Sequence, residues 1–112
     1  MVVQTPVYPP FLSAVRELAR RLVEAPLVAG DTRYEIDFDQ LRAVIDPTTR
    51  VFLLCNPQNP TGRVFERREL EALAEIALAH DLVVVADEIH ADLVYDGRRH
   101  IPFASLSPEV EA

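Results

Sequence analysis

The sequence contains no lysine, because all eleven of its basic residues are arginines. A chain without lysine has no side-chain amine that could form a Schiff base with a carbonyl group, and it lacks the lysine of a nucleotide-binding phosphate loop. Cysteine is nearly absent as well, since Cys55 is the only one. A single cysteine excludes an internal disulfide framework and is typical of a reducing compartment.

Long apolar runs and a net positive charge are also missing. No apolar run approaches the roughly 18 residues that a membrane span needs, and the first residues lack the basic region and cleavage site of a signal peptide. We therefore predict a cytoplasmic protein without membrane contact. The net charge of −7 argues against binding to nucleic acid. With 112 residues, of which 49% are hydrophobic and 26% charged, the chain can form one globular domain.

What is present is an alternation of strand and helix patterns. Apolar residues at three- and four-residue spacing predict amphipathic helices over residues 11–24 and 66–80. A brief helix is predicted over residues 38–45, with Asp37 as its N-cap. Short apolar runs predict strands over residues 2–5, 51–55 and 82–86, with smaller extended pieces at 25–28 and 34–36. Strands joined by helices form right-handed βαβ units, so the pattern predicts an α/β fold with a mostly parallel sheet.

The unusual residues of the chain follow the three main predicted strands. Ligands of parallel sheets collect at the carboxyl ends of the strands, so the turns after Thr5, Cys55 and Ala86 are expected to share one edge. His80 and His100 belong to no motif, and we predict both at the surface. Cys55 is predicted to be a buried strand thiol rather than a nucleophile, because no basic residue stands near it.

The turn after Cys55 reads Asn-Pro-Gln-Asn-Pro-Thr-Gly over residues 56–62. Its prolines stiffen the loop, and Asn59 either offers an amide to a ligand or satisfies the local backbone. The strand at 82–86 ends in Asp87, whose carboxylate needs solvent, a partner or a ligand, or serves as a helix cap. His90 follows three residues later and is either structural or a hydrogen-bond donor. Tyr8, in a proline-rich turn, is either a core tyrosine or a stacking surface.

These motifs, in this order, resemble the fold type I enzymes that use pyridoxal phosphate (PLP), the class I and II aminotransferase family. The Asp-Glu-Ile-His segment at residues 87–90 is similar to the cystathionine β-lyase-like, carbon–sulfur lyase branch. The resemblance implies a three-layer α/β/α fold, and it covers nearly the whole chain. It also implies an amino-acid substrate, a homo-oligomer, and a reaction that either transfers the amino group or expels a β-thiol substituent.

The resemblance also implies a role for each residue that matches the family's motifs. Asn59 would donate a hydrogen bond to the phenolic oxygen of PLP, and Asp87 would keep the pyridine nitrogen protonated. Tyr8 would stack on the ring. His90 stands where many relatives have a tyrosine that also bonds the phenolic oxygen.

Other parts of the family pattern have no match in these 112 residues. The glycine-rich phosphate-binding turn would precede residue 1, while the catalytic lysine and the small domain would follow residue 112. Arg63 adjoins the Asn-Pro loop but does not match the family's carboxylate-binding arginine. The resemblance therefore implies the central portion of a large PLP-binding domain, spanning residues 1–112, which is inactive by itself.

Two readings from other classes remain open. One is a helicase-like nucleotide-binding module, because residues 83–90 form an apolar strand followed by an Asp-Glu-x-His box; the missing phosphate-loop lysine and the net acidity argue against it. The other is a non-catalytic α/β assembly or interaction module.

Overall fold

Four short parallel strands, with helices on both sides, form the centre of the computed structural model, which describes residues 1–111. In chain order, the strands are β1 (Val2–Thr5), β2 (Val23–Pro26), β3 (Val28–Ala29), β4 (Tyr34–Glu35), β5 (Val51–Cys55) and β6 (Val83–Asp87). The helices are α1 (Pro10–Glu17), α2 (Phe38–Val44), α3 (Arg67–Ala79) and α4 (Pro108–Glu111), and a 3₁₀ turn covers Phe103–Ser105.

The main sheet has the strand order β2-β1-β5-β6, and every neighbouring pair is parallel. Strands β3 and β4 form a separate antiparallel hairpin. Because β1 is followed by α1 and β5 is followed by α3, each connection returns the chain to the same end of the sheet, as βαβ units require. The predicted parallel sheet is confirmed.

Alternate residues of the strands enter two different cores. Val2, Phe52 and Leu54 face the larger core, which α2, α3 and the buried Phe103 complete. Val3 and Cys55 face the smaller core, which Val15 and other residues of α1 cover. The sheet therefore lies between two helical layers, which confirms the α/β/α architecture.

The first helix is shorter than its sequence pattern predicts. Helix α1 ends at Glu17 rather than at residue 24, and Ala19 adopts a left-handed conformation with φ of 51°. The chain then turns so that Val23 pairs with Val2 in the sheet, where both side chains are buried. Burial in a paired strand outweighs the helical spacing of Leu22 and Val23, so the prediction for 18–24 is wrong. Strand β2 accordingly begins at Val23, two residues before the predicted extended piece.

The other helix predictions hold closely. Asp37 caps α2, and its Oδ1 accepts a hydrogen bond of 2.9 Å from the backbone N–H of Gln40. Helix α3 is one residue shorter at each end than predicted, with Glu66 and His80 as its flanking caps. At its start, the Glu69 carboxylate accepts a hydrogen bond of 2.7 Å from the Glu66 N–H, one half of a capping box.

Strand β6 lies at an edge of the main sheet, and the α1 side of this strand is open. The side chains of Val83 and Val85 are 64% and 52% exposed, although the continuous apolar run predicts a buried strand. The reason is that α1 covers β1 and β5 but does not extend over β6. Within residues 1–111, no helix combines the length and the apolar character that crossing a membrane requires.

Candidate functional site

The three loops that carry the predicted site residues meet at the carboxyl edge of the sheet. The loop after β5 is hydrogen-bonded to both of its neighbours. On one side, the Asn56 N–H donates to the carbonyl oxygen of Asp87, at 3.0 Å. On the other side, Gln58 Nε2 donates to the carbonyl oxygen of Pro6, at 2.7 Å. The predicted common edge is thus confirmed, and the loop containing Asn59 joins the turn of Tyr8 to the end of β6.

Two of the four predicted site residues line one cleft. Asn59 and His90 are both half-buried and face a cleft of about 560 Å³, together with Tyr95 and Arg98 from the segment after His90. Tyr8 and Asp87 lie at the same sheet edge but do not line this cleft. Tyr8 is 48% exposed, so its ring is open to a ligand rather than buried in a core.

Asp87 is the last residue of β6 and lies opposite Cys55 in the parallel register. Its Oδ1 accepts a hydrogen bond of 3.1 Å from the backbone N–H of Ile89, which orients the carboxylate at the start of the next turn. The side chain is half-buried, and no arginine or histidine among residues 1–111 pairs with it. A half-buried carboxylate without a cationic partner is suited to a positively charged ligand group.

The loop between β5 and α3 is held by buried amide side chains. Asn56 is fully buried, and its Oδ1 accepts a hydrogen bond of 2.9 Å from the Phe65 N–H. Gln58 is only 2% exposed, and its backbone N–H donates to the Arg63 carbonyl at 2.7 Å. The Gly62 N–H returns to the Gln58 carbonyl at 2.8 Å, and Gly62 has a φ of 71°, which favours glycine. These bonds close the loop around Asn59.

Neither the role of Gln58 nor the burial of Arg63 follows from local sequence patterns. Gln58 occupies the variable position of the Asn-Pro-x-Asn-Pro string, where nothing in the pattern marks it as a bridge to Pro6. Arg63 is 6% exposed and forms an ion pair with Glu69, with Nη2 at 2.6 Å from both carboxylate oxygens. Its spacing of six residues from Glu69 is not a helical pair spacing, so no local pattern predicts this contact.

Cys55 is buried, as predicted, and its Sγ lies 3.5 Å from the carbonyl oxygen of Pro57. Burial raises the pKa of the Cys55 thiol, and the negative charge of Asp87 raises it further. A raised pKa keeps the thiol protonated, so Cys55 is a structural residue and not a nucleophile.

His100 is not at the surface, which corrects the prediction. Its side chain is only 8% exposed, and Nε2 lies 3.2 Å from the Glu88 carboxylate without the alignment of a hydrogen bond. The same Glu88 oxygen accepts a hydrogen bond of 2.8 Å from the Phe103 N–H. Phe103 is buried in the larger core, so the tail that follows His100 returns to the body of the domain. His80, by contrast, is exposed as predicted.

Similarity to known proteins identifies the family of this chain. The family model for aminotransferase class I and II matches residues 1–112. The chain belongs to this family. The predicted resemblance is thereby confirmed, and the match favours it over the helicase-like reading.

Individual relatives agree with the family match. The chain is 46% identical over 110 residues to cystathionine beta-lyase PatB from Bacillus subtilis, a match that covers 97% of this chain and 28% of PatB. Cystalysin from Treponema denticola, whose crystal structure contains a PLP cofactor, superimposes with a TM-score of 0.93 at 37% identity, over 97% of this chain and 28% of cystalysin. N-succinyldiaminopimelate aminotransferase from Mycobacterium tuberculosis gives a TM-score of 0.88 at 39% identity, over 92% of this chain and 27% of that protein. The chain thus spans little more than a quarter of the length of the relatives it matches.

Proposed function

We propose that this chain is the central part of the PLP-binding domain of an enzyme that acts on amino acids. The observation that carries the proposal is the hydrogen-bonded meeting of three loops at one sheet edge, with Gln58 bonded to Pro6 and Asn56 bonded to Asp87. This arrangement brings the segments that carry Tyr8, Asn59, Asp87 and His90 to the same edge of the sheet. Parallel α/β sheets bind their ligands at this edge.

The types of side chain at this edge fit PLP. Asp87 supplies an unpaired, half-buried carboxylate, which suits a protonated ring nitrogen. Asn59 and His90 line one cleft and supply hydrogen-bond donors for the phenolic oxygen. The exposed ring of Tyr8 suits stacking on the cofactor ring. When bound, PLP acts as an electron sink that makes the α-carbon of an amino acid acidic.

Each residue has a specific task in this proposal. The charge of Asp87 holds a proton on the ring nitrogen, and Asn59 orients the ring through its amide. His90 donates a second hydrogen bond to the same oxygen as Asn59, in the manner of a tyrosine.

The reaction of the complete enzyme is proposed to be β-elimination from cystathionine or a cysteine S-conjugate, with amino transfer as the second candidate. The 46% identity to a cystathionine beta-lyase supports the first, and the similarity to N-succinyldiaminopimelate aminotransferase supports the second. The two reactions are separated by assaying the full-length protein for pyruvate release from cystathionine and for amino transfer to a 2-oxo acid. Amino transfer without pyruvate release would overturn the lyase assignment. A cytoplasmic location is part of the proposal.

We expect the isolated chain to be catalytically silent, because it has no lysine to attach PLP or to move a proton at the α-carbon. Loss of charge-assisted hydrogen bonds to the phosphate should also weaken binding by several kcal/mol. The measurement is a spectroscopic titration of the purified chain with PLP, after its α-amine is blocked, together with a pyruvate assay. A saturable absorbance change or turnover that is lost in Asp87→Ala would contradict this expectation.

An assembly role is the second candidate, and the uncovered edge strand supports it. Strand β6 has no partner on its outer side among residues 1–111, and Val83 and Val85 are exposed beside it. Unpaired apolar edges promote association. We therefore expect the isolated chain to form homo-oligomers whose mass in sedimentation rises with concentration. Val85→Lys should shift the equilibrium toward monomer, whereas Val28→Lys, at an equally exposed position outside the main sheet, should not. A wild-type chain that stays monomeric at high concentration would contradict the proposal.

A further inference from the structure

The buried ion pair between Arg63 and Glu69 stands out among the charged contacts of the chain. Their side chains are 6% and 10% exposed, whereas the other arginine–carboxylate pairs among residues 1–111 have arginine side chains that are at least 34% exposed. Burying two charges is costly, and a hydrophobic pair of similar volume often stabilises a fold as well or better. Stability alone is therefore a weak explanation for this pair.

The contacts of Arg63 converge on the loop that carries Asn59. Its Nη2 lies 2.6 Å from both oxygens of Glu69, its Nη1 donates to the carbonyl oxygen of Tyr34, and its guanidinium carbon lies 5.4 Å from the ring centre of Phe65. These contacts fix the side chain to three different elements: the hairpin, the loop end and helix α3. Its backbone carbonyl then accepts the bond from the Gln58 N–H, which closes the loop.

Glu69 in turn fixes this arrangement to the start of α3. The carboxylate oxygen that bonds Arg63 also accepts the Glu66 N–H, so Glu69 cannot move without breaking the first turn of the helix. Arg33 Nη1 donates a hydrogen bond of 2.8 Å to Glu66 Oε1, and this hydrogen bond lowers the pKa of the Glu66 carboxyl. The position of Arg63 is thereby defined by a rigid helix end.

We propose that the Arg63–Glu69 pair is a positioning device: it holds the loop of residues 58–63 closed so that Asn59 is presented to the cleft it shares with His90. The inference rests on the proposed function insofar as Asn59 contacts PLP. The loop geometry itself does not depend on the cofactor. The two residues are positioning residues, because neither is placed in contact with a ligand.

The test separates positioning from stability by replacing the pair with two hydrophobic residues. In the full-length protein without cofactor, Arg63→Met combined with Glu69→Met should lower the urea midpoint less than Glu69→Met alone, because the single variant also leaves Arg63 buried without its partner. Hydrogen exchange at the Gln58 and Gly62 amides, followed by mass spectrometry, should nevertheless become about tenfold or more faster. The exposed pair gives the matched control: Arg67→Met with Glu71→Met should leave exchange in the loop unchanged.

The location of the faster exchange decides between the two roles. Faster exchange confined to the first turn of α3, or unchanged exchange at Gln58 and Gly62, would overturn the proposal. If the double variant does not fold, Arg63→Lys decides in its place, because the single nitrogen of lysine cannot occupy the positions of both Nη1 and Nη2. It should also speed exchange at Gln58 and Gly62.

A second measurement keeps this inference distinct from the proposed function. If the loop presents Asn59 to the cofactor, the affinity of the full-length protein for PLP should fall about tenfold when Arg63→Met is combined with Glu69→Met. Faster loop exchange with unchanged PLP affinity would support the positioning role of the pair and would count against the role of Asn59 in binding PLP.

Discussion

In the full-length protein, we expect Asp87→Asn to reduce the catalytic rate by roughly 10²- to 10⁴-fold. The substitution keeps the shape of the side chain but removes the charge that would pair with a protonated ring nitrogen. Once the cofactor covers Asp87, breaking this charge pair from one side should cost about 3–5 kcal/mol, as for buried pairs, and each 1.36 kcal/mol corresponds to about tenfold in rate. The measurement is kcat for whichever reaction the wild-type protein performs.

The matched control for this variant is Asp92→Asn, since Asp92 is exposed and lies five residues beyond Asp87. The control should retain nearly the full rate. Equal losses in both variants, or no loss in Asp87→Asn, would show that the Asp87 carboxylate does not act on the cofactor. Because Asp87 also accepts a hydrogen bond from the Ile89 N–H, urea midpoints of both variants should be compared to separate folding from catalysis.

The largest expected effect on stability comes from the centre of the sheet. Phe52 is 2% exposed and packs in the larger core with residues of α2 and α3. Removing a buried phenylalanine ring costs about 3–5 kcal/mol, which is a large share of the roughly 5–15 kcal/mol that stabilises a typical domain. We therefore expect Phe52→Ala to lower the urea midpoint strongly or to unfold the isolated chain.

Leu78→Ala is the corresponding surface variant, because Leu78 is 51% exposed on α3. Its free energy of unfolding should change by less than about 1 kcal/mol. If Phe52→Ala were tolerated as well as Leu78→Ala, the two-sided burial of β5 described above would be incorrect.

The sequence predicted the parallel sheet because its strands are short, apolar and separated by a periodic helix or a turn. It predicted the site edge because the loop that carries Asn59 follows one of those strands and Asp87 follows another. The same local reasoning predicted the first helix over residues 11–24, where it was wrong. Periodicity alone cannot tell whether Val23 belongs to a helix or to a strand. Its place in a strand depends on pairing with Val2, which lies 21 residues away in the sequence.

The rest of the site depends on contacts between distant residues, which local patterns do not contain. Gln58 bonds Pro6 across 52 residues, and Glu88 reaches the Phe103 N–H across 15. The burial of the His100 side chain accompanies the return of the tail to the core, and no motif around His100 indicates it. The ion pair of Arg63 required the turn at Gly62 to bring the loop end against α3.

The most direct test of the account is a crystal structure of the full-length protein with PLP. The account predicts that the cofactor lies at the carboxyl edge of the sheet, with the Asp87 carboxylate at a charge-assisted hydrogen-bond distance of about 2.7–2.9 Å from the ring nitrogen. Asn59 should contact the phenolic oxygen, and the ring of Tyr8 should lie against the face of the cofactor. A cofactor bound elsewhere, or a ring nitrogen without contact to Asp87, would contradict the central claim.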